Sequence, residues 1–168
     1  MTNSDWSCPP GLKLVGFDVD GVFTDGRFYL SDDGIESKAF CTQDGFGVRR
    51  LIEAGIAVAV ISGRQSVAVE RRMNELGVKY VIQGCKDKVA AFNDVVSELG
   101  IDLVQTVFVG DDVPDVPLLR HAGYGIAVAN AVPAVKAECV AVTRASGGSG
   151  AVREVCDMVI AATRAEKD

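Results

Sequence analysis

Histidine is nearly missing from this chain: His121 is the only one among 168 residues. A single imidazole cannot build a multi-histidine metal centre, and its position after Leu118-Leu119-Arg120 reads as the C-terminal residue of a helix. The five cysteines (Cys8, Cys41, Cys85, Cys139 and Cys156) are scattered, odd in number and without a Cys-x-x-Cys spacing. That pattern speaks against a zinc site or a disulfide framework and for reduced thiols. No apolar run approaches the roughly 18 residues of a membrane span, and the start, MTNSDWSCPPGLK, has neither a basic nor an apolar signal region. The expected location is therefore the cytoplasm. A basic excess is also lacking, since 17 Lys and Arg face 23 Asp and Glu for a net charge of −6. Nucleic acid and anionic membrane surfaces are poor partners for such a field. An anionic substrate would need local help, from a bound cation or a few placed basic groups.

What the chain does have is core. With 48% hydrophobic and 24% charged residues it has the composition of a soluble globular protein, long enough for one domain without covalent staples. Apolar β-rich runs alternate with helical patterns along its length. Leu12 to Gly16 reads as a buried strand, and Arg27 to Leu30 with Ile35 to Phe40 as a hairpin around Asp33-Gly34. Val48, Leu51 and Ile52 recur at helical spacing up to Gly55, and Ile56 to Ile61 is continuously apolar. Further strands are expected at 78–82, 106–109, 124–128 and 139–142, with helices carrying Val69, Met73 and Leu76, then Val89, Phe92, Val96 and Leu99, then Leu118 and Leu119, then Val152, Val155 and Val159. This alternation argues for an α/β fold: a doubly wound, Rossmann-like, mainly parallel sheet with helices on both faces. Only about twenty residues separate the first motif from the next helix, which leaves room for the hairpin and none for a cap domain. A single domain over 1–168 is expected.

In such sheets ligands bind beyond the carboxyl ends of the strands. Four segments fall there: Asp18 to Asp20, Ser62 to Arg64, Lys86 to Lys88, and Asp111 to Asp115. The first, in FDVDG, puts two carboxylates one residue apart at the end of a core strand, where they repel by roughly 4 kcal/mol if about 4 Å apart. Five acids in one crevice (Asp18, Asp20, Asp111, Asp112 and Asp115), with no His or Cys beside them, call for a hard cation, Mg²⁺ where phosphate is handled. Ser62 and the backbone N–H groups of Ser62, Gly63 and Arg64 make an anion cradle, and Lys88 or Lys86 supplies a point charge for phosphoryl oxygens. A phosphoryl group held there could be attacked by one carboxylate. Asp18, on the rigid strand, is the expected nucleophile, and Asp20, entering the loop, the acid and base. Thr24 and Asp25 either act or shape their loop. Asp115 either orients Lys88 or a metal water, or pairs with a helix N-terminus.

The segments from Asp18 to Asp25, Ser62-Gly63-Arg64, Lys88, and Gly110 to Asp115 resemble, in order and spacing, the four motifs of the haloacid dehalogenase superfamily of phosphatases. The resemblance covers about Leu12 to Val159. It implies Asp18 as nucleophile, Asp20 as acid and base, Ser62, Gly63 and Lys88 on phosphate, and Mg²⁺ on Asp18, Asp20 and Asp111, supported by Asp112, Asp115 and Thr24.

Phe40 to Gly47 (FCTQDGFG), Gln83 to Lys88, and Gly147 to Glu154 look more narrowly like the family of 3-deoxy-D-manno-octulosonate 8-phosphate phosphatases. That likeness implies a homotetramer joined by its hairpins, here 26–40, after an N-terminal tail over 1–11. It also implies a glycine-rich active-site loop over 144–150, a small phosphorylated sugar acid as substrate, and a place in making lipopolysaccharide precursors. Two positions depart from the family pattern. Ser149 stands between glycines where Arg is common, and Gln43 stands where Arg or His is common. Arg64, Arg49 and Arg153 remain as candidates for the substrate carboxylate. A nine-carbon sialic-acid-type 9-phosphate, or another small phosphate ester, is the alternative substrate. The non-enzyme alternatives are an assembly module of a sugar-nucleotide synthase and a phospho-accepting signalling domain; the intact acids speak against the first, and Asp20, placed to drive hydrolysis, against the second.

Overall fold

The computed structural model describes Cys8 and residues 11–165. The tail expected over 1–11 lies outside the described residues apart from Cys8 and Gly11. Among the described residues fourteen strands and α-helices follow one another: β1 (Leu14–Phe17), β2 (Tyr29–Leu30), β3 (Glu36–Ser37), α1 (Thr42–Glu53), β4 (Ala57–Ile61), α2 (Val67–Leu76), β5 (Tyr80–Ile82), α3 (Lys88–Leu99), β6 (Thr106–Gly110), α4 (Val116–His121), β7 (Tyr124–Ala127), α5 (Pro133–Lys136), β8 (Ala141–Val142) and α6 (Ala151–Ala165). Six of the strands form one parallel sheet in the order β5-β4-β1-β6-β7-β8, and β2 and β3 form the separate hairpin.

Buried alternation explains the layering. All four residues of β1 and all five of β6 are buried, as strands covered on both faces must be. On one face α1 packs against α6 and α2; α3 packs against α4. Phe92 of α3 meets Phe108 of β6 edge to face, their ring centres 6.1 Å apart, and Phe17 meets Phe23 in the same manner at 5.4 Å. The chain winds outward from β1 in both directions, so the order reverses between β1 and its neighbour β6. Asp18 and Asp111 leave the sheet on either side of that switch point, where such folds bind ligands.

Several elements differ in extent from the pattern in the sequence. The strand expected over 78–82 begins only at Tyr80, because Gly77 takes a left-handed conformation and Val78 donates its N–H to the Met73 carbonyl, closing α2. The hairpin arms pair through just Tyr29 with Ser37 and Leu30 with Glu36. The short α5 has too few residues to show a helical period and was not expected. His121 ends α4, as expected, and its Nε2 lies 2.7 Å from Asn93 Oδ1, away from the cleft. Among the described residues no helix is long and apolar enough to cross a membrane.

Phe108 is wholly buried between β1 and α3, so its truncation leaves a cavity that the sheet cannot close. Phe108→Ala is expected to lower unfolding free energy by about 3–5 kcal/mol, read from the midpoint and slope of urea denaturation.

Candidate active site

The site begins where β1 runs out. Asp18 still donates its N–H to the Val109 carbonyl, keeping it in the sheet, and then the chain coils so tightly that Val22, Phe23 and Thr24 all donate to the Val19 carbonyl. Thr24 is fully buried, and its hydroxyl oxygen accepts from the N–H groups of Gly21 and Gly26. Asp25 likewise accepts from Arg27 N–H. Both therefore shape the loop. Gly21 has φ +87°, and a Cβ there would overlap the Asp111 carboxylate, so glycine lets the first and fourth motifs close on one another.

Within that closure Lys88, the first residue of α3, reaches two acids at once. Its Nζ lies 2.9 Å from Asp18 Oδ1 and 2.7 Å from Asp115 Oδ1, and all three side chains are nearly buried. Burial alone would lower the lysine's proton affinity, but the two carboxylates raise it above the ordinary value, so it stays an ammonium. The other Asp115 oxygen accepts from the N–H groups of Asp111 and Asp112 at 3.0 and 3.3 Å. Asp115 thus orients Lys88 and also fixes the turn that carries Asp111, combining the two roles that its sequence left open. Asp112 caps that turn by accepting from Val113 N–H.

The acids are under-compensated. Burial and the nearby Asp115 charge push Asp18 up to about 6 in spite of Lys88. Burial, with Asp18, Asp115 and Asp112 adding to it, pushes Asp111 up to about 7. Carboxylate oxygens of Asp18, Asp111 and Asp115 lie within 4.8 Å of one another, and Asp111 Oδ1 is buried with no hydrogen-bond partner. Both oxygens of Asp115 are already committed, which leaves Asp18 and Asp111 with capacity for a ligand. An all-oxygen pair of anions with an orphaned buried oxygen suits a hard divalent cation. The expected third acid, Asp20, differs: its carboxylate is outside this group, because Lys38 Nζ holds Asp20 Oδ1 at 2.5 Å and Arg64 Nε approaches Oδ2 at 3.8 Å.

Around the acids lies a cavity of about 290 Å³ that includes Asp20, Ser62, Gly63 and Arg64 in its wall. Ser62 is buried at the end of β4, and its hydroxyl accepts from Arg64 N–H, setting the turn that presents Gly63. Lys86 is exposed and lines a neighbouring depression instead, so Lys88 is the lysine at the acids. Arg49 and Arg153 are not brought to this cleft. Arg49 donates to the Glu75 carbonyl at the end of α2, and Arg153 pairs with Asp157 one turn along α6. The thiols of Cys139 and Cys156 are pushed up by burial, the first to about 12.

The glycine-rich loop does reach the site's back wall. Gly148 N–H donates to the Val22 carbonyl, and a Cβ on Gly147 would collide with the Gly21 carbonyl. Asn130 bridges the two, donating from Nδ2 to Gly21 O and accepting from Gly147 N–H. Ser149 is exposed, and its N–H donates to Ser146 O. Sequence reasoning missed Asn130, Asp44 and Lys38. Asp44, buried in α1, accepts from Arg153 N–H and so caps α6 behind the loop. Lys38 carried one usable signal, its two-residue offset from Glu36, which puts both on one face of the hairpin.

A buried carboxylate beside a buried lysine, a serine turn and an acid with an unpartnered oxygen, gathered at the switch point of this sheet, define a haloacid dehalogenase-like hydrolase. A family model of that description matches residues 83–155. The 3-deoxy-D-manno-octulosonate 8-phosphate phosphatase of Yersinia pestis is 42% identical over 151 residues, covering 90% of this chain and 81% of the relative. The phosphatase of that name from Moraxella catarrhalis, solved in complex with magnesium ion, phosphate ion and KDO, superposes with a TM-score of 0.89 at 42% identity, covering 92% of this chain and 88% of that one. The cobalt-bound form of the Haemophilus influenzae phosphatase gives 0.88 at 39% identity over 92% and 90% of the two chains. The chain belongs to the family of 3-deoxy-D-manno-octulosonate 8-phosphate phosphatases.

The raised acids have a measurable consequence. With Asp18 at about 6 and Asp111 at about 7 against 3.8 unfolded, the folded state holds protons more tightly, so this contribution to stability is present at low pH and lost as pH rises through those values. In chelator, the thermal midpoint of the native protein is expected to fall relative to that of Asp111→Asn between pH about 4 and about 7. Mg²⁺ should abolish the fall. A constant difference across that range would contradict the assignment.

Proposed function

We propose that this chain is a Mg²⁺-dependent phosphomonoesterase that releases phosphate from 3-deoxy-D-manno-octulosonate 8-phosphate in the cytoplasm. The observation that carries the reading is Lys88 seated between Asp18 and Asp115, beside Asp111 with its orphaned oxygen, in a cleft shared with Asp20 and Ser62. Family membership supports the substrate. Asp18 and Asp111 would hold the cation, which supplies neutralisation of the acids and polarisation of a phosphoryl oxygen when bound.

The chain's own residues do the rest. Lys88, the Ser62 hydroxyl and the turn at Gly63 hold the phosphoryl oxygens and aim phosphorus at Asp18. An Asp18 oxygen bonds to phosphorus as the bond to the sugar oxygen breaks, and Asp20 delivers the proton that the departing alkoxide needs. Asp20 then takes a proton from water, whose oxygen attacks phosphorus; the bond to Asp18 breaks and inorganic phosphate leaves. Arg64, half exposed at the mouth, is the basic group in this chain's cleft best placed for the sugar acid's carboxylate.

The hairpin favours a homotetramer. Tyr29, Leu30 and Ile35 are 69%, 65% and 62% exposed on a ribbon too short to be stable alone, which suits burial against further copies of the chain. Such packing would also close the open side of the cleft.

Asp18→Asn is expected to abolish phosphate release while circular dichroism and oligomer mass stay unchanged; retained turnover would remove Asp18 from the nucleophile's role. Across phosphate esters, kcat/KM for 3-deoxy-D-manno-octulosonate 8-phosphate should exceed that for a nine-carbon sialic-acid-type 9-phosphate by about tenfold or more, and equal values would deny the narrow substrate. Leu30→Asp is expected to reduce the mass seen by light scattering to that of smaller assemblies, and an unchanged mass would place the interface elsewhere.

A further inference from the structure

The hairpin has a second, inward face. Glu36 and Lys38, two residues apart, share one side of the ribbon and meet Arg64 and Asp20 there, while Tyr29, Leu30 and Ile35 stay exposed. Lys38 has a fully buried side chain although its backbone is partly exposed, and its Nζ meets Asp20 Oδ1 at 2.5 Å and Glu36 Oε1 at 3.6 Å. Arg64 crosses from the motif after β4 to the same cluster, donating to Glu36 Oε2 at 2.8 Å and stacking 4.2 Å over the Phe28 ring. Asp20, Lys38, Glu36 and Arg64, from three segments, thus form one ring of alternating charge that includes the carboxylate proposed to handle protons.

We propose that Lys38 is a positioning residue for the phosphatase reaction, fixing the Asp20 carboxylate in the orientation that serves leaving group and water. The proposal rests on the phosphomonoesterase reading above. The Lys38 side chain is wholly buried against Asp20, so its influence on a substrate in the cleft passes through that carboxylate. Asp20 sits past the end of β1, in a loop whose backbone bonds fix Val19 to Thr24 but leave the Asp20 side chain without a hydrogen-bond partner from its own segment among the described bonds. Lys38 supplies the missing constraint from outside that loop. A buried ammonium held between the Asp20 and Glu36 carboxylates is a stiff anchor.

A double-mutant cycle tests this. Lys38→Met should lower kcat about 100-fold, the usual loss when a reacting group is misplaced by about an ångström, with KM changed less than about threefold. In an Asp20→Asn background the same substitution should lower single-turnover rates less than about twofold, because the group it positions is already disabled. Thermal unfolding and light scattering report whether fold and assembly survive, and Lys38→Gln carries the same cycle if Lys38→Met does not fold. Equal losses in both backgrounds, or a full kcat in the single variant, would overturn the role of Lys38 while leaving the phosphatase reading standing. Absence of turnover by the unsubstituted protein on every phosphate ester would overturn both.

Discussion

The ammonium of Lys88, fixed between Asp18 and Asp115, is the interaction on which the rest of the site depends. Burial and the Asp115 charge push the Asp18 carboxyl up, and a protonated Asp18 could not play the nucleophile's part proposed for it. One lysine offsets part of that repulsion but not all of it, since Asp18 and Asp111 remain raised. The remainder is what makes the site seek a cation. Removing Lys88 would leave an uncompensated buried pair, typically a loss of about 3–5 kcal/mol, so stability and catalysis share this contact.

The fold serves that contact by delivering three segments to one point with little freedom left. Asp18 is still in hydrogen-bond register with β6, Lys88 opens a twelve-residue helix, and Asp115 is locked by backbone donors from its own turn. Backbone contact does the rest. Gly21 lies under Asp111, and Gly147 lies on the Gly21 carbonyl, so the C-terminal loop, the first motif and the fourth motif form one stack that Asn130 pins. Catalytic geometry is thus fixed by sheet and helix ends, which hold position better than free loops.

Much of this was legible in the sequence because each functional segment directly follows an apolar run. Asp18, Ser62, Lys88 and Asp111 could be placed by finding the strands, and the strands read clearly because β1, β4 and β6 are buried on both sides. What stayed hidden has a common physical character. Asp20 was grouped with the metal acids because spacing alone shows that two side chains leave the chain on one side, not which cation each meets; Lys38, eighteen residues on, decides that. Asn130 and Asp44 act by bonding to backbone at partners more than a hundred residues away, and no local pattern marks such bonds. Arg49 and Arg153 were candidates by charge, but each is consumed by a neighbouring helix end or acid.

In the proposed reaction this electrostatic knot keeps Asp18 ionised and aimed at phosphorus. Rapid quenching of the enzyme during turnover, with acid trapping and mass spectrometry of the tryptic peptide Leu14 to Arg27, reads that directly. Transient phosphorylation on Asp18 of that peptide is expected, formed and lost at rates compatible with turnover. Steady phosphate release with no phosphorylated Asp18 at any quench time, or with the phosphoryl group on another residue, would contradict it.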